Sequence, residues 1–427
     1  MDSELDKNSY DASNTDTDTD TDTLLSIIIP TRNRCEYAVD TIRSLLKIKE
    51  SCFEIVVQDN SDNNHLEDYI KNNFNDKRIV YNHVIEQLDV IANFDQSLAF
   101  VSGDYLTFIG DDDGVNSELL TAARWCKSHK IDALTPENIA GYFWPDLRQK
   151  YYGASNSGKL TIKPFTGKFT KKNPTLGLHK SAAYGFQNLV NTTIIPKLYY
   201  GLVKRACFDR VKARTGSYFP GCSPDMSSAI AVSSYVENFY TVDYPLYLPG
   251  SSAKSTAGSS AEKKHKGSLR EQTHIPKKVI DEWPLDVPKF FAVQTVWAQS
   301  GLSALRATGR NDILMSYNSA LLHAMTGVFN PDYFNFVVKS FTVSLKKDNK
   351  NILFGYLKLS YGILYTYYLR AKSFTKRIFS KFFVSRVSET NGLSSIYEAV
   401  DQLENFLEQS DCHFDSSFNP GSIDKKI

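Results

Sequence analysis

With 427 residues and 42% hydrophobic content, the chain is long enough for two or three domains and too apolar to be disordered throughout. Its formal net charge of +1 hides an uneven split: residues 1–23 hold eight acids and one lysine, a net of −7, so the remainder carries +8. That modest positive balance excludes nucleic acid as the main partner and leaves anionic small molecules or a membrane surface.

Residues 1–23 end in a Thr-Asp repeat, cannot bury apolar surface, and read as a disordered acidic tail. Leu24–Ile29 is a β-branched apolar run stopped by Pro30, as expected of a strand buried on both faces. Glu36–Lys47 places Val39, Ile42, Leu45 and Leu46 at helical spacing. Phe53–Val57 predicts a second strand, His65–Asn72 a helix, Ile79–Tyr81 a third strand and Val90–Phe100 a helix. Tyr105–Ile109 is the fourth strand, Ser117–Ser128 a helix, and Ile131–Leu134 a fifth strand. This alternation predicts an α/β fold: a Rossmann-like, mainly parallel sheet with helices on both faces.

Beyond it, residues 140–180 read as loops and irregular strands, and Pro224–Val236 as a helix with Pro at its first position. Phe239–Leu248, interrupted by Pro245, reads as an edge strand. Pro249–Ser268 is a Gly/Ser/Ala/Lys-rich mobile loop. The chain is then mostly helical to about Ser410, and 411–427 reads as a tail. The six cysteines (Cys35, Cys52, Cys126, Cys207, Cys222, Cys412) form no CxxC pair and no metal-ligand spacing with histidine. They read as reduced thiols of a cytoplasmic protein. The N-terminus lacks the basic start and apolar run of a signal peptide. No stretch reaches the ~18 apolar residues of a spanning helix; Ile352–Leu369 comes nearest and is broken by Gly355, Lys358 and Gly362.

Open parallel sheets bind ligands at the carboxyl ends of their strands. Strand one ends in Pro30–Arg34, strand two in Asp59–Asp62 and strand four in Asp111–Asp113, so these three groups share one rim. Three adjacent carboxylates repel one another and are best tolerated around a cation, and hard Mg²⁺ or Mn²⁺ suits their oxygens. The bland alternative is a solvated acidic turn, less expected directly after a buried strand. Asp59 either accepts hydrogen bonds from a base or ribose or, with Asn60, caps its own turn. Thr31, Arg32 and Arg34 offer donors to a nucleotide. No Walker A or GxGxxG string follows any strand, so side chains and metal must hold the phosphates.

Three strings, Ser26-Ile27-Ile28-Ile29-Pro30-Thr31-Arg32-Asn33-Arg34, Asp59-Asn60-Ser61 and Gly103-Asp104-Tyr105-Leu106-Thr107-Phe108-Ile109-Gly110-Asp111-Asp112-Asp113, together resemble family 2 glycosyltransferases of GT-A fold. These include bacterial enzymes that build capsule and lipopolysaccharide. The resemblance runs clearly over Leu24–Leu134 and more thinly to about Ser260. It implies a nucleotide-sugar-binding half at 24–135, an acceptor-binding half with a mobile loop at 136–270, and a helical C-terminal region at 271–410. Thr31, Arg34 and Asp59 would contact the nucleotide, with Asn93 near the donor. Arg32, Asn60, Asp111 and Asp112 complete the candidate nucleotide site. Many relatives read Asp-x-Asp-Asp where this chain has Gly110 at the first position, which leaves Asp112 and Asp113 as ligands for Mn²⁺ or Mg²⁺ and the role of Asp111 open. Ser223-Pro224-Asp225-Met226 looks like the segment that supplies the catalytic base, although an acid in a first helical turn is also favoured by the helix dipole alone. Lys254 and His265 stand on the Pro249–Ser268 segment, which is either a lid over the diphosphate or an ordinary surface loop.

The implied reaction is inverting transfer of a sugar from a nucleoside-diphosphate donor to a hydroxyl of a lipid-linked or polysaccharide acceptor. A nucleotidyltransferase and a degenerate transferase serving as a scaffold are the competing classes. Leu345–Val387 contains ten Lys or Arg and one acid, Asp348, interleaved with Tyr356, Tyr361, Tyr365, Phe374, Phe379 and Phe382. This pattern suits peripheral docking on an anionic membrane face, or equally a buried helix pair followed by a solvated basic helix.

Overall fold

The computed structural model describes residues 23–422, apart from 138, 148–149, 152–153, 156, 189–192, 256–265, 273 and 383–386. The acidic tail at 1–22 and His265 therefore lie outside the described residues. Strands β1 (Leu25–Thr31), β2 (Phe53–Asp59), β3 (Ile79–His83) and β4 (Tyr105–Phe108) pair in parallel in the order β4-β1-β2-β3. The helices between them are α1 (Cys35–Leu46), α2 (His65–Asn73) and α3 (Val90–Ser97), and α4 (Leu119–Ser128) follows β4. Ile27, Ile29, Ile55 and Val57 point into one core, while their neighbours Ile28 and Val56 point into the other. Alternate residues of a strand face opposite sides, so burial on both faces is why Ile27–Ile29 and Ile55–Val57 are unbroken apolar runs. Each such side chain contributes roughly 1.5–3 kcal/mol of burial. The predicted α/β architecture, with a mainly parallel sheet and a helical C-terminal region, is the one observed.

The sheet grows to eight strands beyond β4. Leu202–Lys204 inserts antiparallel between β4 and Ala133–Pro136. Phe239–Val242 follows in parallel, and Phe169–Lys172 closes the edge. Phe239–Leu248 is thus not one edge strand: its pairing in this sheet stops at Val242, three residues before Pro245, and Tyr247–Leu248 pairs separately with Gly114–Val115, so the proline costs neither ladder anything. Within 140–180 a second sheet forms from Ala140–Phe143, Lys159–Ile162, Gly250–Ser251 and Ser388–Thr390. There follow α5 (Pro174–Ala183), capped by the Asn173 side chain on Leu176 N–H at 2.9 Å, α6 (Arg205–Thr215) and α7 (Pro224–Val232).

The region after 271 is mostly helical, but its last helix, Ile396–Gln409, folds back onto α1 and buries Ile396, Ala399, Val400, Leu403 and Leu407 in the main core. Residues 411–422 do not form the expected tail. Phe414 is buried, Phe418 stacks on Phe169 with ring centroids 4.5 Å apart, and Trp125 Nε1 donates to the Phe418 carbonyl at 2.8 Å. Two aromatic residues four apart thus pack against Phe169 and Trp125 and extend the core beside the last strand. No helix among the described residues is long and apolar enough to cross a membrane.

Candidate active site

The loop after β1 turns through Asn33, whose φ of 55° lies in the left-handed region that asparagine tolerates. Its backbone N–H donates to Ser61 Oγ at 2.8 Å, and its side chain exchanges hydrogen bonds with Asp62. The loops after β1 and β2 are thereby tied together. Arg32 extends this tie outward, with Nη2 3.2 Å from Asp62 at an exposed position. Asp59 pairs in register with Thr31 and is fully buried. One carboxylate oxygen accepts from Ser61 N–H at 2.8 Å and Ser61 Oγ at 2.5 Å; the other accepts from Tyr81 at 2.8 Å. Asn60 is equally committed: its amide donates to the Val84 and Glu86 carbonyls at 2.7 Å each and its oxygen accepts from Leu88 N–H at 3.0 Å. These two residues shape the wall between β2 and the 84–88 loop.

The aspartates at the end of β4 meet the β1 loop directly. Thr31 Oγ1 donates to Asp111 at 2.6 Å, and the Arg34 guanidinium reaches Asp111 at 3.1 Å and Asp112 at 2.8 Å. Asp113 accepts from Tyr200 at 2.8 Å, Gly250 N–H at 2.7 Å and Gly110 N–H at 2.5 Å. Asp112 Oδ2 accepts from the Ser252 hydroxyl at 2.6 Å and its N–H at 3.2 Å. Three buried carboxylates thus face one guanidinium. Burial raises the Asp111 and Asp113 carboxyls to about 7, and the Asp112 charge adds to both shifts, while Arg34 opposes the rise at Asp111.

An all-oxygen donor set with more negative than positive charge fits a hard divalent ion. No group of three His, Cys, Asp or Glu side chains among the described residues converges into a protein cage. The fit is therefore to an ion held by one or two carboxylates and completed by substrate phosphates. Asp112 is the better placed, because no hydrogen bond occupies its Oδ1, whereas both oxygens of Asp113 already accept donors.

The 249–255 strap closes this rim. Arg34 donates to Ser252 Oγ at 2.8 Å and to the Lys254 carbonyl at 3.3 Å, and Lys254 Nζ pairs with Glu36 at 2.6 Å. A Cβ on Gly250 would lie 1.8 Å from the Asp112 carbonyl, so only glycine allows the strap to come this close. An open cavity of about 770 Å³ lies elsewhere, along Phe169–Lys172 at the sheet edge. Asp225 is exposed in the first turn of α7, where Ser223 and the Met226 N–H both donate to its Oδ1. It acts electrostatically on the same tyrosine as the aspartates: burial first, and then Asp113, Asp112, Asp111 and Asp225 in that order, push the Tyr199 hydroxyl well above its ordinary value. Asn93, on α3, is buried with its side-chain oxygen unpartnered.

The profile of Glycosyl transferase family 2 matches residues 26–183. Over those residues the chain is similar to family 2 glycosyl transferases. Over 92 residues it is 34% identical to WcaA of Escherichia coli K12, which is named as a colanic acid biosynthesis glycosyl transferase. That alignment covers 21% of this chain and 33% of WcaA, so the chain spans about a third of that relative's length. Among solved structures, S. aureus TarS 1-349 in complex with UDP-GlcNAc is 16% identical, with a TM-score of 0.41, covering 77% of this chain and 93% of that one. The mannosyltransferase PcManGT from Pyrobaculum calidifontis, in complex with GDP-Man and Mn²⁺, is 12% identical, with a TM-score of 0.40, covering 90% of this chain and 87% of that one.

Gly110 is closely surrounded by side-chain ends. A Cβ there would lie 2.7 Å from Asp113 Oδ2, 2.8 Å from the Tyr199 hydroxyl and 3.0 Å from Asp112 Oδ1, so a side chain at this position would require those three to shift. Tyr199, Tyr200 and Ser252 were not foreseen as site residues, and neither was Lys197. The Lys197 N–H donates to Thr135 Oγ1 at 3.1 Å at the end of its strand. Burial lowers its ammonium to about 8, although Asp225 and then Glu137 act to raise it. A lysine beside aromatic and apolar residues in a loop-rich segment carries no motif, so only the fold exposes it.

Lys197→Met is expected to stabilise the protein. The ammonium's folded value lies below its ordinary 10.5, so the folded state holds fewer protons between about 8 and 10.5, and the burial cost is full below that window. At pH 7 the substitution should raise stability by roughly 1–3 kcal/mol. The advantage over wild type should shrink as pH climbs from 8 toward 10.5. A lower melting temperature for the variant at pH 7 would refute an uncompensated buried cation.

Proposed function

We propose that this chain is a metal-dependent, inverting glycosyltransferase that moves a sugar from a nucleoside-diphosphate donor to a hydroxyl of a glycan or lipid-linked acceptor. The observation that carries this reading is the convergence of Thr31, Arg34, Asp111, Asp112 and Asp113 on one rim. Asp112, with Asp113 beside it, would hold Mn²⁺ or Mg²⁺, and the ion would offset the charge developing on the leaving diphosphate. Arg34 is held at the same place, so its guanidinium can turn from the carboxylates to a phosphate when the strap reopens. The wall built by Asp59 and Asn60 receives the nucleoside, and the unpartnered oxygen of Asn93 faces the donor side.

Asp225, exposed and unhindered on its second oxygen, takes the proton of the acceptor hydroxyl as that oxygen attacks, and attack opposite the leaving group inverts the anomeric centre. Lys197 lies beside it with no ion pair or hydrogen bond to its ammonium among the described residues, and provides the cation for an anionic group of the bound substrates. Lys254 and Ser252 move with the 249–255 strap, which excludes water once the donor is seated. The six cysteines are all unpaired, which supports a reducing, cytoplasmic setting. The test is a screen of UDP-, GDP-, CDP- and dTDP-sugars for nucleoside diphosphate release with and without Mn²⁺. Release from one donor class that needs the metal is expected; pyrophosphate release from a nucleoside triphosphate instead would point to a nucleotidyltransferase.

A further inference from the structure

The helix Ile352–Phe382 is apolar on two opposite sides, and the protein covers only one of them. Gly355, Leu359, Gly362 and Thr366 recur at steps of four, three and four and form the inner seam. A Cβ at Gly355 would lie 2.3 Å from Leu345, and one at Gly362 would lie 2.8 Å from Ala324, so the helix sits close against Phe334–Lys347 and Ser319–Phe329. Directly opposite, Leu353, Leu357, Tyr361, Leu364 and Tyr368 form a second stripe whose members are 58 to 73% exposed, and Phe374 extends it. A helix hydrophobic on every side is ordinarily buried or in contact with lipid.

The charges choose between the possible covers. From Ile352 to Phe382 the sequence holds no acid, and Lys358, Arg370 and Lys372 are exposed along the helix. Lys358, 4.6 Å over the Phe354 ring, and Lys372 lie toward the margin of the stripe, whereas Arg370, 5.5 Å over the Phe329 ring, lies nearer the packed side. A second copy of the helix would bring cations with no carboxylate to meet them. An anionic lipid surface offers both the apolar bed and the countercharge. The stripe from Leu353 to Phe374 is roughly 30 Å long, and its Leu, Tyr and Phe composition suits the boundary between headgroups and acyl chains.

From this we infer that Ile352–Phe382 docks the protein in the plane of an anionic membrane through the Leu353–Phe374 stripe. The inference stands on the helix face alone, and it would survive failure of the transferase reading. The experiment is flotation of the full chain with vesicles of phosphatidylglycerol and phosphatidylcholine, against phosphatidylcholine alone, at low and high salt. The protein should float with the anionic vesicles at low salt, and much less at high salt or without phosphatidylglycerol. The double variant Leu357→Asp/Leu364→Asp, altered only at exposed positions, should keep its melting temperature and lose binding by about tenfold or more. Absence of flotation at low salt, or equal flotation by the double variant, would overturn the proposal. So would light scattering that finds a dimer which the double variant converts to monomer, because a second copy would then be the cover.

Discussion

Asp225→Asn is expected to lower the rate of sugar transfer by about 10²–10⁴-fold while nucleoside diphosphate affinity stays within a factor of a few. The substitution keeps the volume and both acceptor contacts: Ser223 and the Met226 N–H can still donate to the amide oxygen that replaces Oδ1. Only the ability to accept a proton is lost. Asp225 stands in the first turn of α7. Its removal should cost little stability, because the side chain is exposed. The measurement pairs transfer kinetics with calorimetric titration of the nucleoside diphosphate. Near-normal turnover in a variant that binds nucleotide normally would remove Asp225 from the mechanism and direct attention to Glu137, the other carboxylate beside Lys197.

How much of this was legible in the sequence depends on the length scale of each signal. β1 and β2 were readable because burial on both faces leaves short β-branched apolar runs with no polar alternation. The rim was readable because a parallel sheet necessarily brings strand ends together, and Thr31 and Asp111 meet at 2.6 Å although eighty residues apart. Leu202–Lys204 was not visible, since three residues give no period, and their place in the sheet is set by the partners on either side. Phe239–Leu248 was misread because Pro245 was taken as part of a strand that ends before it. The packing of 411–422 was hidden for a different reason: two aromatics, Phe414 and Phe418, find their partners in Trp125 and Phe169, more than two hundred residues away.

Inside the site, the two open readings of Asp59 are not exclusive in space. Its carboxylate caps the Ser61 turn and accepts from Tyr81, so any nucleoside would meet a side chain already oriented by three donors. The strap contacts of Ser252 and Gly250 with the aspartates could not have been read from composition. A glycine-serine segment looks the same whether it is a free loop or a closed lid, and only the hydrogen bonds of Gly250 to Asp113 and Ser252 to Asp112 distinguish them.

Asp112→Asn should separate the metal role from the structural one. The substitution removes one of three clustered negative charges, so the Asp111 and Asp113 carboxyls should fall from about 7 toward their ordinary 3.8. For a carboxyl raised in the folded state, the fold holds the extra proton between about 4 and 7, and stability is lost as pH rises through that window. The metal-free wild type should accordingly weaken from pH 4 to pH 7 more steeply than the variant. Added Mn²⁺ should raise the wild-type melting temperature at pH 8, where the carboxylates are ionised, and do so much less in Asp112→Asn. Transfer at saturating donor should fall by about 10²-fold or more, the scale of a lost electrostatic contribution to the leaving group. The Arg34 contact to Asp112 at 2.8 Å is lost in the same variant, so the Mn²⁺ response, not the activity alone, is the deciding readout. An unchanged Mn²⁺ shift in Asp112→Asn would assign the ion to other residues and leave Asp112 as the anchor that Arg34 and Ser252 hold in place.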